Sequence, residues 1–240
     1  LCNFSNLNSI LNTIKPDIII NAAGITIRRG IEADKSQTIL VNSALPHILN
    51  QWINLNNNTR LIHFSTDCVF SGLKGNYNEK SIIDATDFYG KTKGLGEVNN
   101  NRVLTLRSSM IGCELDNFTE LFEWFLKQKN KTIKGFNKVI YSGITTTKMA
   151  EIVLKLIDQY PNLSGVYNIS SKPISKFDLL KLWNDYFDIK ANIKIDNSYT
   201  SNKNLISDKL FKAIELEQPN WDDLINQLKI DAELYNNLYI

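Results

Sequence analysis

A chain of 240 residues that is 43% hydrophobic and 22% charged is long enough to bury a sizeable core and ordinary for a soluble globular protein. Its net charge of +2 and pI near 8.3 are too mild to argue for nucleic acid or an anionic membrane as partner, and no apolar stretch approaches the ~20 residues of a membrane-spanning helix. Cys2, Cys68 and Cys113 form no Cys-x-x-Cys pair, and His47 and His63 join no ligand cluster, which predicts reduced thiols and no metal site. The opening LCNFSNLNSI lacks the charged and apolar regions of a signal peptide, so a cytoplasmic location is expected.

Along the chain, apolar β-branched runs alternate with helical patterns, the sign of parallel strands joined by crossover helices. DIIINAA, residues 17–23, is a continuous apolar run suited to a strand buried on both faces, and Gly24 ends it. Residues 36–55 carry helical periodicity despite Pro46, followed by the polar turn NLNNNT. A second strand, 60–64, runs directly into Ser65-Thr66-Asp67, and RVLTLRSSMI, residues 102–111, reads as a third. Three strand ends thus deliver NAAG, STD and RSSM to one sheet edge, and ligands of open parallel sheets bind outside the carboxyl ends of the strands. Beyond Gly112 the pattern gives a helix over 117–129, a strand at KTIKGF, a helix at TKMAEIVLKLIDQY, a strand at GVYNIS, a helix at SKFDLLKLWNDYF capped by Ser175, and a last helix at QPNWDDLINQL,. The helix over 117–129 can pack in its own lobe or on a second subunit, which leaves a homodimer open.

Tyr89 and Lys93 in FYGKTKGLGE carry the chemistry. If Tyr89 opens a helix, the spacing of four stacks phenol and ammonium on one face, where the cation favours the phenolate. An unperturbed tyrosine titrates near ~10, so a phenol poised for proton transfer at neutral pH needs such a neighbour. Ser65 or Thr66 would hold a substrate oxygen within reach, which together describes a hydride-transfer site. Taken alone the pair is also an ordinary solvated helix face, and the converging strand ends decide between the two. Elsewhere the plainer readings are preferred: His63 a packed core histidine, Trp124, Trp183 and Trp221 core aromatics, Cys68 a small buried residue, Asp222-Asp223 a first-turn charge effect. The basic pair Arg28 and Arg29 either meets a phosphate or stays solvated.

With these segments in order, the chain resembles the dTDP-4-dehydrorhamnose reductase family of extended short-chain dehydrogenases/reductases. KPDIIINAAG is similar to that family's second nucleotide-contacting strand, LVNSALPHIL to its next helix, LIHFSTDCVFSG to its catalytic strand and loop, NYNEK to the segment that follows, YGKTKGLGE to its Tyr-x-x-x-Lys helix and LRSSMIG to its next strand. The resemblance implies an α/β fold, a Rossmann-type doubly wound parallel sheet lacking its first strands, with a small C-terminal α/β substrate lobe. Residues 1–112 would form a partial NAD(P)-binding domain and 113–240 mostly the substrate lobe. It further implies NADPH or NADH as cofactor and a dTDP- or UDP-linked nucleotide sugar as substrate. Asn21, Ala22, Ala23 and Gly24 would lie against the adenosine-ribose and phosphate side of the dinucleotide. Phe64 and Ser65 would flank the nicotinamide ribose, Thr66 and Asp67 would face the sugar, Tyr89 would donate the proton, and Lys93 would bind the ribose hydroxyls. Met110 stands where the family often has a tryptophan, which points to a differently shaped hexose, such as an N-acetylated one on UDP.

The implied activity is NAD(P)H-dependent reduction of a keto group on a nucleotide-linked 6-deoxyhexose. Two other readings differ in class: a sugar-nucleotide epimerase or dehydratase, and a non-catalytic NAD(P)-binding subunit. Related dehydratases place a glutamate where this chain has Cys68, which counts against dehydration, and Tyr89, Lys93 and Thr66 count against a binding-only role. The family's Gly-rich opening turn does not occur, so a chain that binds dinucleotide poorly and exposes a sheet edge is expected.

Overall fold

A computed structural model of the chain describes residues 4–26, 34–56, 58–116 and 118–238. In chain order they form α1 (Phe4–Ile14), β1 (Ile18–Asn21), α2 (Lys35–Ile39), α3 (Leu45–Leu55), β2 (Arg60–Ser65), α4 (Phe88–Leu95), β3 (Val103–Arg107), β4 (Met110–Ile111), α5 (Leu121–Leu126), β5 (Thr132–Phe136), β6 (Val139–Tyr141), β7 (Ile144–Thr145), α6 (Thr146–Gln159), β8 (Gly165–Asn168), β9 (Ile174–Ser175), α7 (Lys176–Tyr186), β10 (Asn192–Asp196), β11 (Ser201–Asn202), α8 (Asp208–Ala213) and α9 (Trp221–Leu238). A π-helical turn, Leu40–Ala44, joins α2 to α3, and a 3-10 turn, Asp67–Val69, follows β2. The chain divides into two compact units, Leu1–Ser71 with Glu79–Ser108 and Pro161–Asn168, and Gly72–Asn78 with Ser109–Tyr160 and Ile169–Ile240.

The first unit is built on a four-stranded sheet in the order β1-β2-β3-β8, every pair parallel. All five residues of β3 are buried, as are Leu61, Ile62 and His63 of β2, which is why both strands read as mostly apolar runs. β1 is shorter than its apolar run, four residues against seven, and lies at one end of the sheet, where Ile20 is 49% exposed. Register fixes what meets at the sheet's carboxyl edge: Asn21 stands level with His63, and Ser65 level with Arg107, itself level with Asn168. The helical stretch Lys35–Leu55 starts at Asp34, whose carboxylate accepts the Gln37 amide at 2.8 Å, and buries Leu45, Leu49, Trp52 and Ile53 beside Leu61 and Val103. Leu7 and Leu11 of α1, a helix that the sequence pattern did not single out, join the same cluster.

One strand expectation is corrected. The run 102–111 is not one strand: the sheet strand ends at Arg107, and after Ser108 and Ser109 the chain re-forms as β4, paired with β7. Two short polar side chains interrupt the apolar run at that point and leave no bulk to carry the strand further.

The second unit has three small sheets, β5 with β10, β6 between β11 and β9, and β4 with β7. Its core gathers Phe122, Phe125, Leu179, Trp183, Ile225 and Leu228. Phe122 meets Trp183 edge-on at 5.3 Å between ring centroids, a favoured aromatic geometry. The predicted helix over 117–129 shortens to α5, and Asn117 lies outside the described residues. Trp124 corrects its core assignment: Phe122 and Phe125, three apart, share the inward face of α5, which leaves Trp124 37% exposed,. α7 starts where expected, with Ser175 Oγ accepting the Asp178 amide at 3.0 Å. α9 carries Asp222 and Asp223 in its first turn, where the helix dipole favours acids,. Among the described residues no helix is long and apolar enough to cross a membrane.

Candidate active site

α4 owes its start to Asp87, whose Oδ1 accepts the Gly90 amide at 2.8 Å, and its position to Gly90 itself. A Cβ on Gly90 would collide with the Cys68 carbonyl oxygen, so only glycine lets the first turn of α4 close onto the turn Asp67–Val69. Tyr89 is thereby carried on the helical turn that packs on Asp67–Val69, which follows Ser65 and Thr66 directly. It is half-buried, and Lys93 follows one turn later on the same face.

Lys93 is 4% exposed. Its Nζ donates to the Phe64 carbonyl oxygen at 2.7 Å, and an ammonium has three donors, which leaves two for other acceptors. Burial pushes the Lys93 pKa down to about 8, and the Glu97 carboxylate pulls it back up. His63, on β2, is forced to about 3, first by burial and then by the Lys93 charge. Its Nδ1 lies 3.1 Å from Asn21 Nδ2, an amide nitrogen that can only donate, so the neutral ring carries its proton on Nε2. His63 is thus the packed core histidine that its apolar strand suggested.

The choice between Ser65 and Thr66, open on sequence, is constrained by their partners. Ser65 Oγ donates to Glu97 Oε1 at 2.6 Å, so its proton is committed within the protein. Thr66 Oγ1 donates to Asp67 Oδ1 at 3.1 Å and accepts the Cys68 amide at 3.1 Å, capping the turn. Both of those partners lie in the turn itself. Asn21 is buried, and its Oδ1 accepts the Ala23 amide at 3.2 Å. Ala22 and Gly24 are exposed, and Ala23 is half-buried. The segment 21–24 expected to face a dinucleotide therefore has its first side chain held by His63, with Ala22 and Gly24 exposed.

Two residues that sequence reasoning missed organise the site. Asn42, fully buried in the π-helical turn, accepts the Ile25 amide at 2.8 Å, donates to the Ile25 carbonyl at 2.9 Å, and donates to Thr92 Oγ1 at 3.2 Å. It ties the exit of β1 to α4. The signal for it was Pro46, which cannot donate to the carbonyl four residues back, that of Asn42. Glu97, two residues past α4, grips Arg107 with both oxygens, Nε to Oε1 at 2.7 Å and Nη2 to Oε2 at 2.6 Å. Met110 is carried by β4 in the second unit and is 45% exposed. Arg28 and Arg29 lie outside the described residues.

Residues 1–197 match the family described as the RmlD substrate binding domain. A dTDP-4-dehydrorhamnose reductase from Aggregatibacter actinomycetemcomitans is 27% identical, the alignment covering 94% of this chain and 84% of that protein. The crystal structure of a hypothetical dTDP-4-dehydrorhamnose reductase from Sulfolobus tokodaii superposes with a TM-score of 0.78 at 26% identity, covering 88% of this chain and 78% of the other. A dTDP-4-dehydrorhamnose reductase from Bacillus anthracis, in complex with NADP, shares the fold with a TM-score of 0.82 at 22% identity, covering 95% and 85%. With the matched region spanning the sheet, α4 and most of the second unit, the chain belongs to the RmlD substrate binding domain family, the dTDP-4-dehydrorhamnose reductase-like family that its motifs resemble.

Proposed function

We propose that this protein reduces a keto group on a nucleotide-linked 6-deoxyhexose, with NADPH or NADH as the hydride donor. The observation that carries the reading is Lys93: a buried ammonium with one hydrogen-bond acceptor among the described residues, one helical turn from Tyr89. A buried charge is costly to hold, and this one sits where it can act on a phenol. Its two remaining donors fit a pair of ribose hydroxyls, so the donor set suits a dinucleotide. When bound, the nicotinamide supplies the hydride.

In this reading Asn21, Ala22, Ala23 and Gly24 line the adenosine and phosphate side, the small residues allowing close approach of the backbone, while Phe64 and Ser65 flank the nicotinamide ribose. Lys93 orients the ribose hydroxyls and favours the ionised form of Tyr89. Tyr89 then gives its proton to the oxygen of the carbonyl being reduced. Thr66, whose hydroxyl can turn from Asp67 toward a ligand oxygen, polarises that carbonyl, and Asp67 and Met110 contact the sugar. We assign the dinucleotide to residues 1–112 and the sugar nucleotide mostly to 113–240, and place the protein in the cytoplasm, acting on a diffusible dTDP- or UDP-linked sugar.

The test is oxidation of NADH and NADPH, followed by absorbance, against dTDP- and UDP-linked 4-keto-6-deoxyhexoses. Turnover with one of them that falls by 10²-fold or more in Tyr89→Phe, the size of a lost general acid, is expected. Dinucleotide binding without turnover of any of these sugars would overturn the reading in favour of a binding subunit.

A further inference from the structure

One carboxylate in the first unit has more to do than structure alone requires. Glu97 lies just past the end of α4, its side chain 7% exposed, and joins that helix to two neighbouring strand ends. Ser65 at the end of β2 donates to its Oε1, and Arg107 at the end of β3 binds both of its oxygens. Ser65 and Arg107 are themselves opposite one another in the β2–β3 register. Glu97 therefore closes a bridge across two neighbouring strand ends from the end of the helix that bears Tyr89 and Lys93. The Arg107 guanidinium is buried and stacks 5.2 Å over the Phe70 ring, and its Nη1 has no hydrogen-bond partner among the described residues.

The sequence supplies the means. A Cβ on Gly96 would collide with the Asn42 carbonyl oxygen, so the last turn of α4 rests against the π-helical turn, and the next residue, Glu97, is aimed inward. The charged and titratable groups around Lys93 are Tyr89 and Glu97 on its own segment, His63 on β2 and, through Glu97, Arg107 on β3. His63 is neutral, so Glu97 is the negative charge that balances the buried ammonium.

We propose that Glu97 is a positioning residue for the reduction: clamped by Arg107 and Ser65, it holds Lys93 in its charged form beside Tyr89 and locks the end of α4 to the ends of β2 and β3. Arg107 sets how much of that negative charge Lys93 feels. The proposal rests on the reductase reading for its role in turnover, but not for its electrostatics. Those can be read without substrate or cofactor.

The experiment is a pH titration of the whole protein with its lysines carbon-13 labelled at Cε, following the Lys93 resonance, assigned by its disappearance in Lys93→Arg. The native midpoint is expected near about 8. Glu97→Gln keeps the shape and much of the hydrogen bonding but removes the charge, and should lower the midpoint by about one unit or more. Arg107→Met leaves Glu97 unneutralised and should move the midpoint in the opposite direction, upward. A purely structural clamp predicts no such opposition, since both variants break the same contacts. Should Glu97→Gln fail to give a native-like amide spectrum, Arg107→Met decides alone. An unmoved midpoint in a folded Glu97→Gln, or shifts of the same sign in both variants, overturns the proposal. In turnover, the alkaline limb of kcat should follow each midpoint while KM for the nucleotide sugar stays within a few-fold. Absence of turnover in the native protein would sink the reductase reading and leave the midpoints to judge Glu97 on their own.

Discussion

Gly96 and Gly94 lie two residues apart at the end of one helix, and alanine should act on them in opposite directions. Gly96 has φ −85° and ψ −4°, a conformation that any residue adopts. On backbone grounds alone, alanine there should stabilise by up to about 1 kcal/mol, through the smaller entropy of its unfolded chain. Its Cβ, however, would fall on the carbonyl oxygen of Asn42. That oxygen belongs to a backbone held by Asn42's three side-chain hydrogen bonds and by the buried helix behind it, so it cannot rotate aside as a side chain would. Overpacking of this kind costs about 1–3 kcal/mol, and the net expectation is a destabilisation of about 1–2 kcal/mol. With a urea m-value of ~1–3 kcal/mol/M, the unfolding midpoint should fall by roughly 0.3–2 M. At Gly94, inside α4, a Cβ would meet Ile83 Cγ2 at 3.0 Å. Ile83 is itself 38% exposed and can move outward, so the helix-propensity gain of ~1 kcal/mol should survive in part, leaving the midpoint level or raised. Paired urea melts of Gly96→Ala and Gly94→Ala, read by far-UV circular dichroism, decide the matter. A midpoint for Gly96→Ala at or above the native value would refute the contact between the last turn of α4 and the π-helical turn.

Two further outcomes follow from charge and burial. Lys93 titrates near about 8 in the fold against 10.5 when free, so between those values the unfolded chain holds a proton that the folded one has released. The group therefore subtracts stability below pH 8 and restores it as pH rises through that window. At about 1.4 kcal/mol per unit the cost at neutral pH is on the order of 3 kcal/mol, and Lys93→Met should abolish turnover while raising the urea midpoint at pH 7 and flattening its rise toward alkaline pH. A lower midpoint in Lys93→Met at pH 7 would contradict that sign. Burial, with Glu123 and Asp231 nearby, raises the Cys113 thiol to about 11, so near pH 8 its thiolate fraction is ~10²-fold below that of a free thiol. Timed iodoacetamide labelling read by mass spectrometry should find Cys113 labelled correspondingly slowly in the native state and at an ordinary rate once urea has unfolded the chain.

What the sequence revealed was whatever depends on near neighbours. LIHF and VLTL are mostly apolar because the parallel sheet buries both faces of its inner strands β2 and β3, and a run of that kind needs no partner to be recognised; the same signal overstated β1, which lies at the sheet's end with Ile20 49% exposed. The Tyr89 and Lys93 pair is one helical turn, and Asp87 and Gly90 fix that turn from within four residues. The second unit was harder to read, because β4, β7, β9 and β11 are two residues each and acquire their identity from a partner strand far along the chain. β10, five residues long, was hidden for another reason: only one of its residues is apolar beyond Ile193, and most of the strand is exposed or half-buried. Trp124 shows the same limit, since hydrophobicity alone assigned it to the core, whereas the phase of α5 gave the inward positions to Phe122 and Phe125.

The candidate site divides along that line. Its reactive groups sit in a local motif, but contacts that hold them in place run between residues 29 to 50 apart: Ser65 to Glu97, Lys93 to Phe64, Asn42 to Thr92. Even so, they descend from one local irregularity. Pro46 removes the donor that the Asn42 carbonyl would take in a regular α-helix, and the helix widens into a π-turn at Leu40–Ala44. The Asn42 side chain is then placed to hold Ile25 and Thr92, and its carbonyl meets the end of α4 at the capping residue Gly96, where no Cβ intervenes. Glu97 comes next in the chain. A proline that looks like a defect in a helix pattern therefore stands at the head of the contacts that turn a carboxylate toward Lys93. Restoring a regular helix with Pro46→Ala should pull that chain of contacts apart, lowering turnover while the apolar core around Trp52 and Leu61 stays packed.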